Sequence, residues 1–213
     1  MSAVRNAIAV LDEALLGAIA ARGGLRRYPA NAVLINEGDE ADSLYIILSG
    51  RVKVYAASES GKQVILSQHG PGEYLGELAL DGGARSASVM TLEPSTFAVV
   101  TRASLQEFIA VHPEFAQHLI LNLIQRVRRL TVRVKSLALD DVYSRIVAVL
   151  YSLSVPDGER RVVPDKLTQQ DIAEHVGASR EMVSRVFKEL SVGGYVEVKA
   201  GRIVVLKKPP AAW

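Results

Sequence analysis

Between Tyr28 and Val100, short runs of Val, Ile, Leu and Tyr are cut by turn residues at Glu37-Gly38-Asp39, Ser49-Gly50, Ser60-Gly61 and Gly70-Pro71-Gly72. Short β-branched and aromatic runs bounded by turns at such regular spacing predict an antiparallel barrel or roll. Upstream, the stretch from Asp12 to Ala21 reads as a short apolar helix.

From His112 the period changes. Ala116, Ile120, Leu123, Val127, Leu130, Val134 and Leu137 are spaced alternately four and three apart. That is the seam of a coiled coil, and it predicts a helix over 112–139 that dimerises with a second copy. Arg126, Arg128, Arg129, Arg133 and Lys135 flank the seam, with no acidic residue between Glu114 and Asp140. Their expected role is a solvated basic face.

A third pattern begins near Asp141, helical through Leu153 and followed by a turn at Val155-Pro156-Asp157-Gly158. Thr168 is a good N-cap for a short helix with Ile172, Ala173 and Val176 on one face, and Gly177 breaks it. Ser179 caps a second helix whose buried face is Val183, Val186, Phe187 and Leu190. Two short helices across a tight glycine turn form a helix-turn-helix. The strands "YVEV" and "RIVVL" add a β-hairpin wing, and "KKPPAAW" reads as a loose tail. The expected fold is therefore α+β: a β-roll domain over 1–111, the dimer helix over 112–139, and a winged helix-turn-helix over 140–213.

Composition narrows the chemistry. The chain has 213 residues, 49% of them apolar, enough for packed cores. It contains no cysteine, which excludes disulfides, thiolate zinc sites, iron–sulfur clusters and cysteine nucleophiles. None of the four histidines stands in an HExxH or HxH spacing, and no Ser/His/Asp constellation appears, so an enzyme is not expected. With no signal-peptide pattern and no uncharged apolar run of about 18 residues, the expected address is the cytoplasm, away from membranes. A formal net charge of +2 is too small to indicate nucleic acid, so the distribution of charge carries the information.

Two stretches carry candidate chemistry. In "GELALDGGARSAS", Gly76 to Ser88, Arg85 and Ser86 suit an anion, while Glu77 suits a neutral hydroxyl and would repel a second phosphate. The other reading is an Arg85–Glu77 ion pair across a hairpin that holds no ligand. At the start of the second helix of the helix-turn-helix, Ser179, Arg180, Glu181, Ser184 and Arg185 occupy positions that face the major groove. Arginine forks onto guanine and glutamate accepts from cytosine, so a G·C-containing half-site is expected unless Glu181 and Arg185 simply pair along the helix. Thr168, Gln170, Ser179 and Lys188 are candidates for phosphate contacts. A two-fold dimer predicts an inverted repeat with half-sites about one helical turn apart.

Roll, dimer helix and winged helix-turn-helix in this order, with "GELAL…ARSAS" and "VGASREMVSRVFKEL", resemble the CRP/FNR superfamily of bacterial transcription regulators, closest to the cyclic-AMP receptor branch. The resemblance covers nearly the whole chain. It implies that Gly76 and Glu77 hold a ribose 2′-hydroxyl. It also implies that Arg85, Ser86 and backbone N–H groups starting the "ELAL" turn, Leu78 among them, hold a cyclic phosphate. Val54, Leu66 and Ser67 match positions that face the base. Arg180, Glu181 and Arg185 match the readers of TGTGA-type half-sites, whereas Ser184 is closer to the FNR branch.

Two features depart from the cyclic-AMP branch. Leu130 and Thr131 stand where a threonine and a serine reach the adenine, and leucine cannot hydrogen-bond a base. The turn "DGGA" is also short. The expectation is a DNA-binding regulator with cyclic AMP or a related cyclic nucleotide as effector and no tightly bound cofactor. The alternative is the same regulator with a constitutive roll, or one that takes cyclic di-GMP or haem. The turn "SVPDGER" lies where the family's activators touch RNA polymerase.

Overall fold

The structure, a computed structural model, describes residues 12–210. They form two compact units, residues 12–57 with 65–130 and residues 58–64 with 131–210. Among the described residues, no helix is long and apolar enough to cross a membrane.

In the first unit, α1 (Glu13–Ala20) is capped by Asp12, whose carboxylate accepts from Leu15 N–H at 3.4 Å. Then follow β1 (Gly24–Tyr28), β2 (Val33–Ile35), β3 (Ser43–Ser49), β4 (Val52–Ala57), β5 (Gln63–His69) and β6 (Tyr74–Leu75). A 3-10 turn at Glu77–Asp81 precedes β7 (Ser88–Thr91) and β8 (Ser95–Thr101); α2 (Arg102–Val111) and α3 (Pro113–Leu139) complete the region. The strands make two four-stranded sheets, ordered β1-β8-β3-β6 and β2-β7-β4-β5.

Strand β3 explains the layering. Ile47 joins Ile35, Val54, Leu75, Val89 and Phe97 in a cluster drawn from both sheets. Leu44 and Ile46, on alternate positions, join Ile19, Leu105, Phe108 and Phe115 from the three helices. A strand buried on both faces reads as a continuous apolar run rather than an alternation, as "LYIIL" does. On α3, Phe115 and Leu119 are buried, but the seam residues Ile120, Leu123, Val127, Leu130, Val134 and Leu137 are all exposed.

In the second unit, α4 (Val142–Leu153) is capped by Asp141, which accepts from Ser144 N–H at 2.7 Å. It is followed by β9 (Val155–Asp157), β10 (Arg160–Val162), α5 (Gln169–Val176), α6 (Arg180–Val192), β11 (Val196–Lys199) and β12 (Arg202–Val205). The wing is larger than the expected hairpin. Strands β9 and β10, expected as a turn, extend it to a four-stranded sheet ordered β11-β12-β10-β9. Arg161 ties it to the end of α4, donating to Ser154 Oγ at 2.9 Å and to the Ser154 carbonyl at 2.7 Å. The expected loose tail is also corrected in part: Pro209 is buried and the Pro210 carbonyl accepts from the Tyr143 hydroxyl at 3.1 Å, while residues 211–213 lie outside the described residues.

Gly177 closes α5 with φ +66°, a left-handed conformation that costs an L residue about 1 to 2 kcal/mol. A Cβ built there meets only ordinary contact, Leu137 Cδ2 at 3.4 Å. Gly177→Ala is therefore expected to destabilise this unit by about 1 to 2 kcal/mol through the backbone alone. Urea unfolding checks it; an unchanged midpoint would show that the turn relaxes.

Candidate functional site

The loop before β7 is pinned by backbone bonds to the segment before β3: Arg85 N–H donates to the Asp39 carbonyl at 2.8 Å, and Gly38 N–H to the Arg85 carbonyl at 2.9 Å. This turns the Arg85 side chain inward, where it is buried. Its Nη2 donates to Ser43 Oγ at 3.1 Å, and Ser43 Oγ donates to Asp42 Oδ1 at 2.8 Å. The guanidinium also lies 4.0 Å from the Asp42 carboxylate and 5.9 Å from the Tyr45 ring centroid. Nη1, by contrast, is buried and has no hydrogen-bond partner. A buried guanidinium N–H without an acceptor is expensive, so such a group is expected to meet one from outside the chain.

Gly76 makes that placement possible. Its φ is +85°, and a Cβ there would stand 2.5 Å from Arg85 Nη1 and 2.9 Å from the Ser43 carbonyl oxygen. Any other residue would fail on backbone conformation and on space together. Glu77 follows, buried, with its carboxylate paired to Arg126 of α3.

These groups border one cavity, with about 400 Å³ of space that is partly open to solvent. Of the sequence-predicted ligand residues, Gly76, Glu77, Leu78, Arg85, Ser86 and Val54 line it. Ile35, Leu75 and Val89 supply an apolar wall. Leu66, Ser67, Leu130 and Thr131 are not in its lining. Ser67 Oγ is instead 2.9 Å from His69 Nε2, Leu66 is half-buried against the inter-sheet core, and both Leu130 and Thr131 are exposed on α3.

The proposed internal Arg85–Glu77 pair is absent from the described residues; each side chain pairs elsewhere. Sequence reasoning missed Ser43 and Arg126. The latter corrects the expectation of a uniformly solvated basic face: Arg126 neutralises Glu77, and Arg133 donates to the His175 carbonyl at 3.2 Å. Burial also lowers the pKa of Arg133. The available signal was a carboxylate in an apolar motif, which needs a cation, and the cation-rich stretch downstream.

In the second unit, Thr168 and Asp171 form a reciprocal capping box at the start of α5. The Thr168 hydroxyl donates to Asp171 Oδ2 at 2.7 Å, and Gln170 Nε2 to Glu174 Oε1 at 3.3 Å. Ser179 caps α6 by accepting from Met182 N–H at 3.2 Å. Val183, Phe187 and Leu190 anchor α6 in the core. Glu181, Ser184, Arg185 and Lys188 then share the outer face, and Arg180 is exposed beside them. The Glu181 carboxyl is held below its usual range by its own backbone N–H, by the Ser179 hydroxyl and by Arg180. It remains an anion at neutral pH, beside two exposed guanidiniums.

Comparison with known proteins agrees with both halves. The cyclic nucleotide-binding domain family matches residues 25–112, and the Crp-like helix-turn-helix domain family matches residues 144–210. The chain is 33% identical over 187 residues to the cAMP-activated global transcriptional regulator CRP of Pasteurella multocida, covering 85% of this chain and 89% of that one. It is 31% identical over 183 residues to the CRP-like cAMP-activated global transcriptional regulator of Mycobacterium tuberculosis, with 84% and 82% covered. Among solved structures, the c-di-GMP-responsive global regulator CLP of Xanthomonas campestris superposes with a TM-score of 0.81 at 27% identity, over 92% of this chain and 100% of that one. CprK in complex with OCPA shares the fold, with a TM-score of 0.73 at 21% identity over 90% of this chain and 89% of that one. These relatives are regulators rather than enzymes, and a sensory roll joined to a DNA-binding helix-turn-helix at this level of identity makes the chain a member of the CRP family of ligand-responsive transcription regulators.

Proposed function

We propose that this regulator is a cytoplasmic homodimer that binds cyclic AMP or a close cyclic nucleotide in the roll and an inverted-repeat, TGTGA-like operator through α6. The observation that carries the ligand is the buried, unpartnered Nη1 of Arg85 at the wall of a cavity that also holds Glu77. Arg85 and Ser86 take the cyclic phosphate; Glu77, held by Arg126, and the Gly76 backbone take the ribose hydroxyl. The wall near Val54 is apolar and suits the face of a base without choosing between purines.

A cyclic di-GMP effector is the second reading, motivated by the likeness to a c-di-GMP-responsive regulator. Charge favours the mononucleotide. Arg85 is the buried side chain of this cavity with an open donor, Nη1, which anchors a single phosphate.

The exposed seam on α3 supports the dimer, since a continuous apolar stripe of this size calls for cover. Ligand shifts the spacing of the two recognition helices only by its difference in affinity between two arrangements, typically about 1 to 3 kcal/mol. Arg180, Glu181, Ser184 and Arg185 read bases, while Ser179 and Lys188 contact phosphates. Thr168 contributes little, because its hydroxyl proton already goes to Asp171 Oδ2, whereas Gln170 gives one of its two amide N–H groups to Glu174 and offers the other to a phosphate.

The test is calorimetric titration of the purified protein with cyclic AMP, cyclic GMP and cyclic di-GMP, followed by operator binding with and without each. Saturable heat with cyclic AMP and ligand-dependent operator affinity are expected. Unchanged operator affinity in every case would establish a constitutive regulator instead.

A further inference from the structure

A buried guanidinium turns about its own axis unless something holds it. Arg85 enters the wall of the cavity as a planar group with two terminal nitrogens, and which of them meets a ligand depends on what fixes the other. The fixing group comes from a distant strand. Ser43, the first residue of β3, is buried, and its Oγ accepts from Arg85 Nη2 at 3.1 Å. Among the described residues this is the only hydrogen bond of the Arg85 side chain.

The hydroxyl is itself oriented. Ser43 Oγ donates its single proton to Asp42 Oδ1 at 2.8 Å, so what it presents to Arg85 is a lone pair. Asp42 is exposed, and its carboxylate stands 4.0 Å from the guanidinium, where a direct ion pair is weak. Asp42 therefore holds Ser43, and Ser43 holds Arg85. On the opposite side of the guanidinium the space is kept by Gly76, where a Cβ would stand 2.5 Å from Nη1. Gly76 lines the cavity, and the nitrogen beside it is the one without a partner.

We propose that Ser43 is the positioning residue of the phosphate site: by taking Nη2 it aims Nη1 into the cavity. The proposal rests on the cyclic-nucleotide reading given above for what Nη1 meets there. A binding group works at full strength only when its rotamer is locked by the residues behind it, and Ser43 supplies that lock from outside the cavity lining. Without the Oγ, the guanidinium is free to turn toward the Asp42 carboxylate and Nη1 loses its aim.

Two measurements test this on the full chain. Cyclic AMP is titrated calorimetrically into the unsubstituted protein, Ser43→Ala, Ser43→Thr, Asp42→Asn, Arg85→Ala and the Ser43→Ala/Arg85→Ala double variant. Nitrogen-15 NMR of arginine is recorded on the unliganded proteins, with the Arg85 signals identified by their loss in Arg85→Ala. A held guanidinium gives separate Nη signals, and a rotating one gives an average.

Ser43→Ala is expected to weaken cyclic AMP binding at least about tenfold and to merge the two Arg85 Nη signals. Ser43→Thr keeps the hydroxyl and should restore both properties. Asp42→Asn keeps an acceptor for the Ser43 proton while removing the charge, so it should bind like the unsubstituted protein. In the Arg85→Ala background, Ser43→Ala should cost nothing further, since no guanidinium is left to aim. A merely structural role for Ser43 would weaken binding equally in both backgrounds and leave the Arg85 signals unchanged, and either result would overturn the proposal. Averaged Arg85 signals in the unsubstituted protein would do the same. Absence of cyclic AMP heat in a folded, unsubstituted protein would count against the effector, and the NMR comparison would then decide the role of Ser43 by itself.

Discussion

Replacing Arg85 by alanine is expected to lower the affinity for cyclic AMP by a factor of roughly 30 to several thousand. Truncating one partner of a buried, charge-assisted contact costs about 2 to 5 kcal/mol, and each 1.4 kcal/mol is tenfold. The loss falls on binding more than on folding. Within the protein, Arg85 has one good hydrogen bond, to Ser43, and a 4.0 Å approach to the exposed Asp42, so little native stabilisation disappears with it. Removing an incompletely partnered buried charge is itself close to neutral for stability. Arg85→Lys separates charge from geometry: it restores a cation without the planar fork and should recover only part of the affinity. Calorimetry decides. Undiminished cyclic AMP binding by a folded Arg85→Ala protein would remove the phosphate role, and with it the main support for a cyclic nucleotide.

The largest effect on the DNA-binding half is expected from Phe187→Ala. Phe187 lies on the inner face of α6 with Val183 and Leu190, in the cluster that seats α6 on α4, α5 and the wing. Phenylalanine-to-alanine changes in cores cost about 3 to 5 kcal/mol, through lost transfer energy and the cavity left behind. That is a large share of the roughly 5 to 15 kcal/mol that holds a typical domain folded. Denaturant unfolding should show the transition of this unit moving to much lower concentration. Operator binding should fall with it, while nucleotide binding by the roll stays unchanged. Full operator affinity at an unchanged midpoint would mean that α6 is seated by other contacts.

The parts of this molecule that were legible in the sequence are those set by local rules. The caps at Thr168 and Ser179, the break at Gly177, the turns of the roll and the four-three spacing on α3 each follow from backbone chemistry or periodicity within a few residues. What escaped is non-local. Nothing near Glu77 indicates that its partner is Arg126, 49 residues later, because the pairing is made by packing α3 against the roll. Ser43 stands on a strand whose neighbours are apolar, and only the folded sheet brings its hydroxyl to Arg85. Strands β9 and β10 were hidden because Pro156, Asp157 and Gly158 dominate a short hairpin whose sheet partner, β12, lies some 40 residues downstream. Leu66 and Ser67 lie on β5, outside the cavity lining, and a one-residue shift of register would change which face each presents.

The division of labour around Gly76 bears on how such a sensor diversifies. At the phosphate end the geometry is made by backbone and by one interlocked set, Gly76 against Arg85 against Ser43, in which a single added carbon collides at 2.5 Å. Substitutions there break the site before they retune it. At the other end the boundary is side chain, where the exposed Leu78 can change size or polarity without moving the main chain. A frame of this kind concentrates neutral drift at the mouth and purges it at the base. New effectors are then reached by small steps that keep the anchor and exchange what lies beyond it, so one architecture can serve many inputs while its output helix stays the same.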